Sequence, residues 1–211
     1  MASELQVKIK RSFLDNYLRP LHLHPEFIMF EDKDLVNNKF TRFKTSEIKE
    51  FRYGIKWYRY HFVFGREYQI YVRNHSNEVL KINFNSYFGI KKYEYYELYA
   101  SIINSIWDLY FKNYVYTMLK EFDTGESFYV GDVNINPEGV IILVSKLFKQ
   151  EKKLIPWQDV RIKKYQTYIS VYSNQNPMDF NRGYYYKEDW NTFVLFEVLK
   201  NILASKNIVP A

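Results

Sequence analysis

Apolar and polar positions alternate over several short stretches of this chain, as in strands with one buried face. Residues 68–73 and 79–84 alternate on either side of a polar turn at residues 74–77. Alternation returns at residues 168–173 and 180–186 in the second half. The pattern therefore predicts antiparallel hairpins in both halves of the chain.

Each half ends on a helical pattern. From about residue 93 apolar side chains keep a period near 3.6 residues, at Leu98, Ile102, Ile106 and Leu109. Beyond residue 113 the apolar stripe moves to another face, which predicts that this helix bends or restarts. A second helix is predicted from the apolar stripe between Phe193 and Leu203, with Asp189 or Asn191 as its N-cap.

The chain matches itself without gaps when it is displaced by 112 residues. Residue class and alternation agree from Tyr17 to about Phe51, which is the sequence pattern of a duplication. Each copy has a turn at the same place, with Phe27 in the first copy where the second has Gly139. We expect Gly139 to supply a positive φ in that turn. The pairs that agree in character are Tyr17 with Tyr129, Leu18 with Val130, Leu21 with Val133, Leu23 with Ile135, Pro25 with Pro137, Glu26 with Glu138, Ile28 with Val140, Phe30 with Ile142, Leu35 with Leu147, Phe43 with Ile155, Glu47 with Asp159 and Ile48 with Val160.

Residues 154–160, Leu-Ile-Pro-Trp-Gln-Asp-Val, resemble the strand 3 to strand 4 signature of bacterial PH-like and GRAM-like domains. Residues 43–48 keep only the outline of that signature. The resemblance implies an α+β fold of two tandem PH-like modules, each an antiparallel β-sheet or partial barrel closed by a C-terminal helix. The expected modules are residues 1–120 and 121–211.

The two copies differ after residue 50, where the offset falls to about 100 and leaves the first copy with extra residues at 54–65. We expect these residues to form an extended hairpin, either as a binding surface or as a merely solvated one. Strand alternation predicts Trp57, Arg59, His61 and Val63 on one face, with Tyr58, Tyr60, Phe62 and Phe64 on the core face. Arginine can hold phosphates while tryptophan stacks or inserts, so this region is the candidate site. The candidate binding residues are Arg52, Lys56, Trp57, Arg59, His61, Arg66, Tyr71 and Arg73.

The charge and composition of the chain restrict the classes of function that it can have. The net charge of +6 lies wholly in residues 1–120, because bases and acids balance in residues 121–211. A local basic field of this kind attracts anionic surfaces. The chain has no cysteine, which excludes disulfides and thiolate chemistry. Without a signal-peptide pattern or a long apolar run, we expect a cytoplasmic protein, either free in the cytoplasm or peripheral to the inner membrane face.

No catalytic motif occurs, so we expect neither an enzyme nor a cofactor. His22, His24 and Glu26 are in phase on a predicted strand and are a weak metal candidate. The first hairpins, at about residues 22–29 and 133–143, are not basic, which argues against carrying phosphoinositide binding over from PH domains.

The sequence favours a non-catalytic binding or scaffold protein that recognises a protein partner or an anionic membrane surface. Single-stranded nucleic acid is an alternative partner, because the aromatic residues Tyr58, Tyr60, Tyr68 and Tyr71 are interleaved with Arg59, Arg66 and Arg73. An enzyme of unrecognised type is the remaining alternative. The pattern does not indicate an oligomeric state.

Overall fold

A computed structural model describes residues 4–32, 40–59, 64–146 and 149–208 of the chain. The fold is α+β, with small antiparallel sheets and helices. The chain divides into two compact units, Met1–Asn113 and Tyr114–Ala211. None of the helices in the described residues is long and apolar enough to cross a membrane.

The first unit contains two antiparallel sheets and a helix. Its strands are β1 (Leu5–Ile9), β2 (Arg19–His24), β3 (Phe27–Phe30), β4 (Thr41–Lys44), β5 (Ile48–Arg59), β6 (Phe64–Asn74) and β7 (Val79–Tyr87). Strands β1 to β4 form one sheet in that order, and β5 to β7 form the other. Helix α1 (Lys92–Ile106) follows, and a π-helical segment (Trp107–Phe111) joins it to α2 (Lys112–Asp123). The division between the units falls inside α2, and the boundary expected from the sequence lies in its last turn.

The second unit repeats this succession. Its strands are β8 (Phe128–Val130), β9 (Val133–Asn136), β10 (Gly139–Lys146), β11 (Lys149–Pro156), β12 (Val160–Lys164), β13 (Tyr168–Ser173) and β14 (Asn181–Tyr185). Strands β8 to β11 form one sheet and β12 to β14 another, and α3 (Thr192–Ser205) ends the unit. In the described residues these are separate small sheets, so the expected barrel is not present as a closed structure.

Equivalent residues of the two units have equivalent environments. A 3-10 turn follows the fourth strand in each unit, at Thr45–Glu47 and at Trp157–Asp159, 112 residues apart. Five of the apolar pairs are buried in both units, namely Leu21 with Val133, Leu23 with Ile135, Ile28 with Val140, Phe30 with Ile142 and Phe43 with Ile155. Tyr17, Tyr129 and Leu18 are exposed, whereas Val130 is buried. Leu35 and Leu147 lie outside the described residues. Each closing helix also begins after a residue with positive φ, Lys91 at 54° and Asn191 at 58°. Asn191 is therefore the N-cap position, although its side chain does not cap the helix.

The 112-residue register fails at its start. Tyr17 precedes β2 and lies outside any strand, whereas Tyr129 belongs to β8. The true counterpart of β8 is β1, because Leu5 pairs with Leu23 as Phe128 pairs with Ile135. Residues 10–18 connect β1 to β2, whereas only residues 131–132 connect β8 to β9. The first unit therefore has a second insertion, which we call the β1–β2 loop.

Gly139 does not have the positive φ expected from the turn pattern. A Cβ atom at this position would lie 2.1 Å from the carbonyl oxygen of Ile155 on the neighbouring strand. Glycine is needed here because two backbones approach closely, not because the turn is left-handed. The turn is held instead by Asn136, whose Oδ1 accepts from the amides of Glu138 at 2.9 Å and Gly139 at 3.1 Å.

The shift of the apolar stripe beyond residue 113 has a local cause in the preceding turn of the helix. Residues Trp107–Phe111 are π-helical, so more residues per turn rotate the buried face. Phe111 packs on Phe51 with ring centroids 4.3 Å apart. The hydroxyl of Tyr110 donates to the carbonyl oxygens of His24 at 3.0 Å and Phe27 at 2.8 Å. The π segment thus ties the helix to both sheets of the first unit.

Candidate functional site

The candidate residues lie on the β5–β6 hairpin, which is much longer than its counterpart in the second unit. Strand β5 spans twelve residues, and β12 spans five. The ladder pairs Phe51 with Val72 near its base and Arg59 with Phe64 at its far end. His61 belongs to residues 60–63, which lie outside the described residues.

Pairing distributes the candidate residues over two faces of the sheet. Alternation from the buried Phe51 places Trp57 and Arg59 on the core-side face, and Arg66, directly opposite Trp57, shares that face. Arg52, Lys56, Tyr71 and Arg73 lie on the opposite face, which we call the outer face. The structure therefore does not bring the seven candidates that it describes together as one cluster.

The expected faces of the hairpin were wrong. Tyr58 lies on the outer face and not with the core, and Phe64 shares the face of Arg59 and is 55% exposed. For Phe64 the physical reason is the turn, because residues paired across a hairpin share a face whatever their parity along the sequence. For Tyr58 it is the phase of β5, because the buried Phe51 places the odd-numbered residues of this strand toward the core.

An open depression of about 800 Å³ lies at the far end of the β5–β6 ladder, beside the start of α1. The guanidinium carbon of Arg66 lies 3.9 Å from the centroid of the Trp57 ring. Phe64 and Phe88 meet edge to face, with centroids 5.5 Å apart. We call this surface the basic–aromatic depression. It is lined by Trp57, Tyr58, Arg59, Phe64, Gly65, Arg66, Ser86, Gly89 and Lys92.

Charge in the depression has one sign. Arg59, Arg66 and Lys92 line it, and no acidic residue does so among the described residues. The large aromatic groups remain exposed around these cations, with Trp57 at 64% and Phe88 at 47%. Exposed aromatics beside unopposed cations are suited to a ligand surface that is anionic and offers an apolar layer.

Tyr68 lies on β6 two residues from Arg66 and on the same face of the sheet. It is fully buried, and its hydroxyl donates to the carbonyl oxygen of Lys92 at 3.3 Å. Burial raises the pKa of Tyr68, and the neighbouring Arg66 opposes that rise. Tyr68 is therefore a neutral hydrogen-bond donor that joins β6 to the first residue of α1.

On the outer face the candidate residues are engaged with their neighbours. Arg73 and Glu50 form an ion pair in which the guanidinium Nε lies 2.7 Å from Glu50 Oε2. The guanidinium carbon of Arg52 lies 5.3 Å from the centroid of the Tyr71 ring. These contacts hold β5 to β6, so we assign Arg52, Tyr71 and Arg73 a structural role.

The β1–β2 loop packs on this outer face, which sequence comparison of the two halves did not indicate. The backbone N–H of Asn85 donates to the carbonyl oxygen of Arg11 at 2.7 Å. The rings of Phe13 and Tyr58 each lie 6.5 Å from the ring of Tyr87. The two segments specific to the first unit therefore meet at β7.

The histidines of β2 have a carboxylate neighbour other than the expected Glu26. The Nε2 atoms of His22 and His24 lie 3.4 Å and 3.7 Å from the same oxygen of Glu4. Within the part of the chain that the structure describes, no group of three or more histidine, aspartate and glutamate side chains is arranged to hold a metal ion.

No protein-family model matches the sequence, and no curated protein matches it. The functional interpretation therefore rests on the geometry and charge of the chain itself.

Proposed function

We propose that this protein binds an anionic membrane surface through the basic–aromatic depression of its first unit. The observation that carries the proposal is the pairing of exposed Trp57 with Arg66 in a depression whose lining contains three cations. Aromatic side chains partition into the interfacial layer of a bilayer, while lysine and arginine are attracted to acidic headgroups.

The charge distribution along the chain supports the same choice. The whole net charge of +6 belongs to residues 1–120, which include the depression. Each lysine or arginine near an anionic bilayer contributes about 1 kcal/mol, so a few cations suffice for reversible binding when aromatic groups also insert. A protein partner is a different class of ligand, and liposome co-sedimentation distinguishes it from a membrane surface.

We further propose that each unit is a PH-like module and that the protein is a tandem of two. The support is the succession of seven strands and a closing helix in both units, together with the sequence signature at residues 154–160. In this proposal the shared elements are the scaffold, and the two insertions of the first unit carry the binding function.

Liposome co-sedimentation tests membrane binding. We expect the protein to sediment with vesicles containing phosphatidylglycerol and to remain in the supernatant with phosphatidylcholine alone. The double variant Arg59→Ala/Arg66→Ala should lower the partition coefficient roughly 30-fold, which corresponds to about 2 kcal/mol for two cations. Raising the salt concentration should weaken the binding of the unmodified chain.

The matched control is Lys152→Ala/Lys163→Ala, which removes the same charge from exposed positions of the second unit. We expect this variant to bind vesicles nearly as well as the unmodified chain. Equal losses in both double variants would mean that net charge alone drives binding. If phosphatidylglycerol vesicles never retain the protein, the membrane proposal fails, and a protein or nucleic-acid partner becomes the better explanation.

A further inference from the structure

A second pocket, on the outer face of the β5–β7 sheet, has a different chemistry from the basic–aromatic depression. Its volume is about 330 Å³, which is within the range of small-molecule sites. The β1–β2 loop supplies one wall through Arg11, and strands β6 and β7 supply the floor. We call it the polar pocket. It is lined by Arg11, Asp32, Glu67, Lys81, Asn83 and Asn85.

Two carboxamide oxygens that belong to side chains of this lining are buried and have no hydrogen-bond donor. They are Oδ1 of Asn83 and Oδ1 of Asn85, and no donor from the described residues reaches either atom. A buried acceptor without a donor is unfavourable, so each such atom in a folded protein calls for an explanation. Both residues belong to β7 and are two positions apart, so they lie about 6.6 Å apart on one face of the sheet.

The orientation of Asn85 is determined by its surroundings. Its Nδ2 donates to the carbonyl oxygen of Arg11 at 3.4 Å, and a carbonyl oxygen can only accept. The carboxamide therefore cannot be reversed, and a hydrogen bond to Oδ1 requires a donor from another group. Asn83 differs, because Nδ2 contacts the hydroxyl of Tyr71 at 3.4 Å, and a hydroxyl can donate or accept. Asn83 can thus present either its oxygen or its NH₂ group to a ligand.

The charges of the polar pocket are balanced and arranged along the sheet. Glu67 lies directly across the ladder from Asn85, so an acceptor-rich end is formed by a carboxylate and an amide oxygen. Lys81 lies two residues beyond Asn83 on the same face and forms the cationic end. With Arg11 and Asp32 the lining has two cations and two carboxylates. A ligand with a net charge would be repelled by side chains of like charge at one end of the pocket.

We propose that the polar pocket binds a small zwitterion of the amino-acid class. The ligand's ammonium group donates to Asn85 Oδ1 and to the carboxylate of Glu67, and its carboxylate lies toward Lys81 and Asn83. The site is specific to the first unit because the β1–β2 loop that supplies Arg11 has no counterpart of similar length in the second unit. This inference is independent of membrane binding.

The test is thermal unfolding followed by isothermal titration calorimetry, with the twenty common α-amino acids added singly to the full chain. We expect at least one of them to raise the melting temperature by roughly 3 °C at ten times its Kd. The Nα-trimethyl derivative of that amino acid lacks N–H donors, and we expect it to bind at least about tenfold more weakly. The corresponding amine without the carboxylate should also bind more weakly, because it loses the contact with Lys81.

Variants separate the site from the fold. Asn85→Leu and Lys81→Gln should each weaken binding at least about tenfold, and Lys81 is exposed, so its replacement leaves the core intact. The matched control is Gln69→Leu, which removes an amide from the same outer face outside the pocket lining and should leave the affinity unchanged. The proposal is overturned if none of the twenty amino acids binds, if the trimethyl derivative binds equally well, or if Lys81→Gln retains full affinity. Lys81→Gln should sediment with anionic vesicles like the unmodified chain, so failure here does not bear on the membrane proposal.

Discussion

Arg66 and Trp57 face each other across the β5–β6 ladder, with the guanidinium carbon 3.9 Å from the centroid of the indole ring. An exposed cation–π contact of this kind stabilises by about 0.5–1 kcal/mol. The contact orders two long side chains on an otherwise exposed surface. Because both are already in place, less conformational entropy is lost when they meet a ligand.

Trp57 should report membrane binding through its fluorescence. It is 64% exposed, whereas Trp157 is buried and Trp107 and Trp190 are half-buried. We expect its emission to shift to shorter wavelength when vesicles containing phosphatidylglycerol are added, because the indole enters a less polar layer. Trp57→Phe should abolish the shift. A shift that persists in this variant would assign the change to another tryptophan and contradict insertion of Trp57.

Arg73 should affect stability and not membrane binding. Its ion pair with Glu50 is mostly buried, with side-chain exposures of 24% and 9%. Arg73→Ala leaves the Glu50 carboxylate without this partner and should lower the free energy of unfolding by about 2 kcal/mol. Urea unfolding measures this loss, and co-sedimentation should show vesicle binding within about twofold of normal. Loss of vesicle binding in a folded Arg73→Ala protein would show that the outer face also contacts the membrane.

Gly139→Ala should strongly destabilise the second unit. The new Cβ would lie 2.1 Å from the carbonyl oxygen of Ile155, so β10 and β11 would have to separate. We expect a loss of about 3 kcal/mol in the free energy of unfolding, measured in urea. Gly183→Ala is the matched control, because its nearest contact would be an ordinary 3.4 Å to Tyr168. Similar losses in both variants would contradict the close-approach explanation.

Alkaline pH should unfold the protein through its buried tyrosines. Burial raises the pKa of Tyr186 to about 12 and raises the pKa of Tyr184 as well. In the unfolded chain these hydroxyls ionise near pH 10. Between these values the folded state retains protons that the unfolded state releases, so the free energy of unfolding falls as the pH rises from about 10 to 12.

Absorbance at 295 nm and circular dichroism test this together. We expect the buried Tyr184 and Tyr186 to ionise only as ellipticity is lost. Tyr184→Phe should be neutral near pH 7, because no acceptor in the described residues bonds its hydroxyl. This variant should also lose less stability above pH 10. Full titration of every tyrosine with unchanged ellipticity would contradict the prediction.

Local patterns predicted most of the elements because they depend on neighbours in the chain. Strand β13 covers residues 168–173 as alternation indicated, and α3 begins immediately after Asn191. The displaced apolar stripe indicated an irregular helix, and the π segment at Trp107–Phe111 is its cause. The turn of the second unit was also located correctly, although the reason for Gly139 was not.

The sequence missed features that depend on which strands pair. Strand β1 is only five residues long. The pairing of Leu5 with Leu23 identifies it as the counterpart of β8. The β1–β2 loop was hidden because the gapless register aligned Tyr17 with a strand residue. Nothing in the alternation of β7 distinguishes Asn83 and Asn85 from solvated polar residues, so the polar pocket could not have been predicted.

The sequence alone determined that the fold is α+β, that its strands and helices recur in the same order, and that the positive charge belongs to the first half. These properties follow from side-chain periodicity and composition, which act along the chain. Tertiary structure decided which candidates act together. Pairing across the β5–β6 turn placed Trp57 and Arg66 on one face and Arg52 and Arg73 on the other. A hairpin turn resets the phase of alternation, and only the register of the paired strands defines that phase.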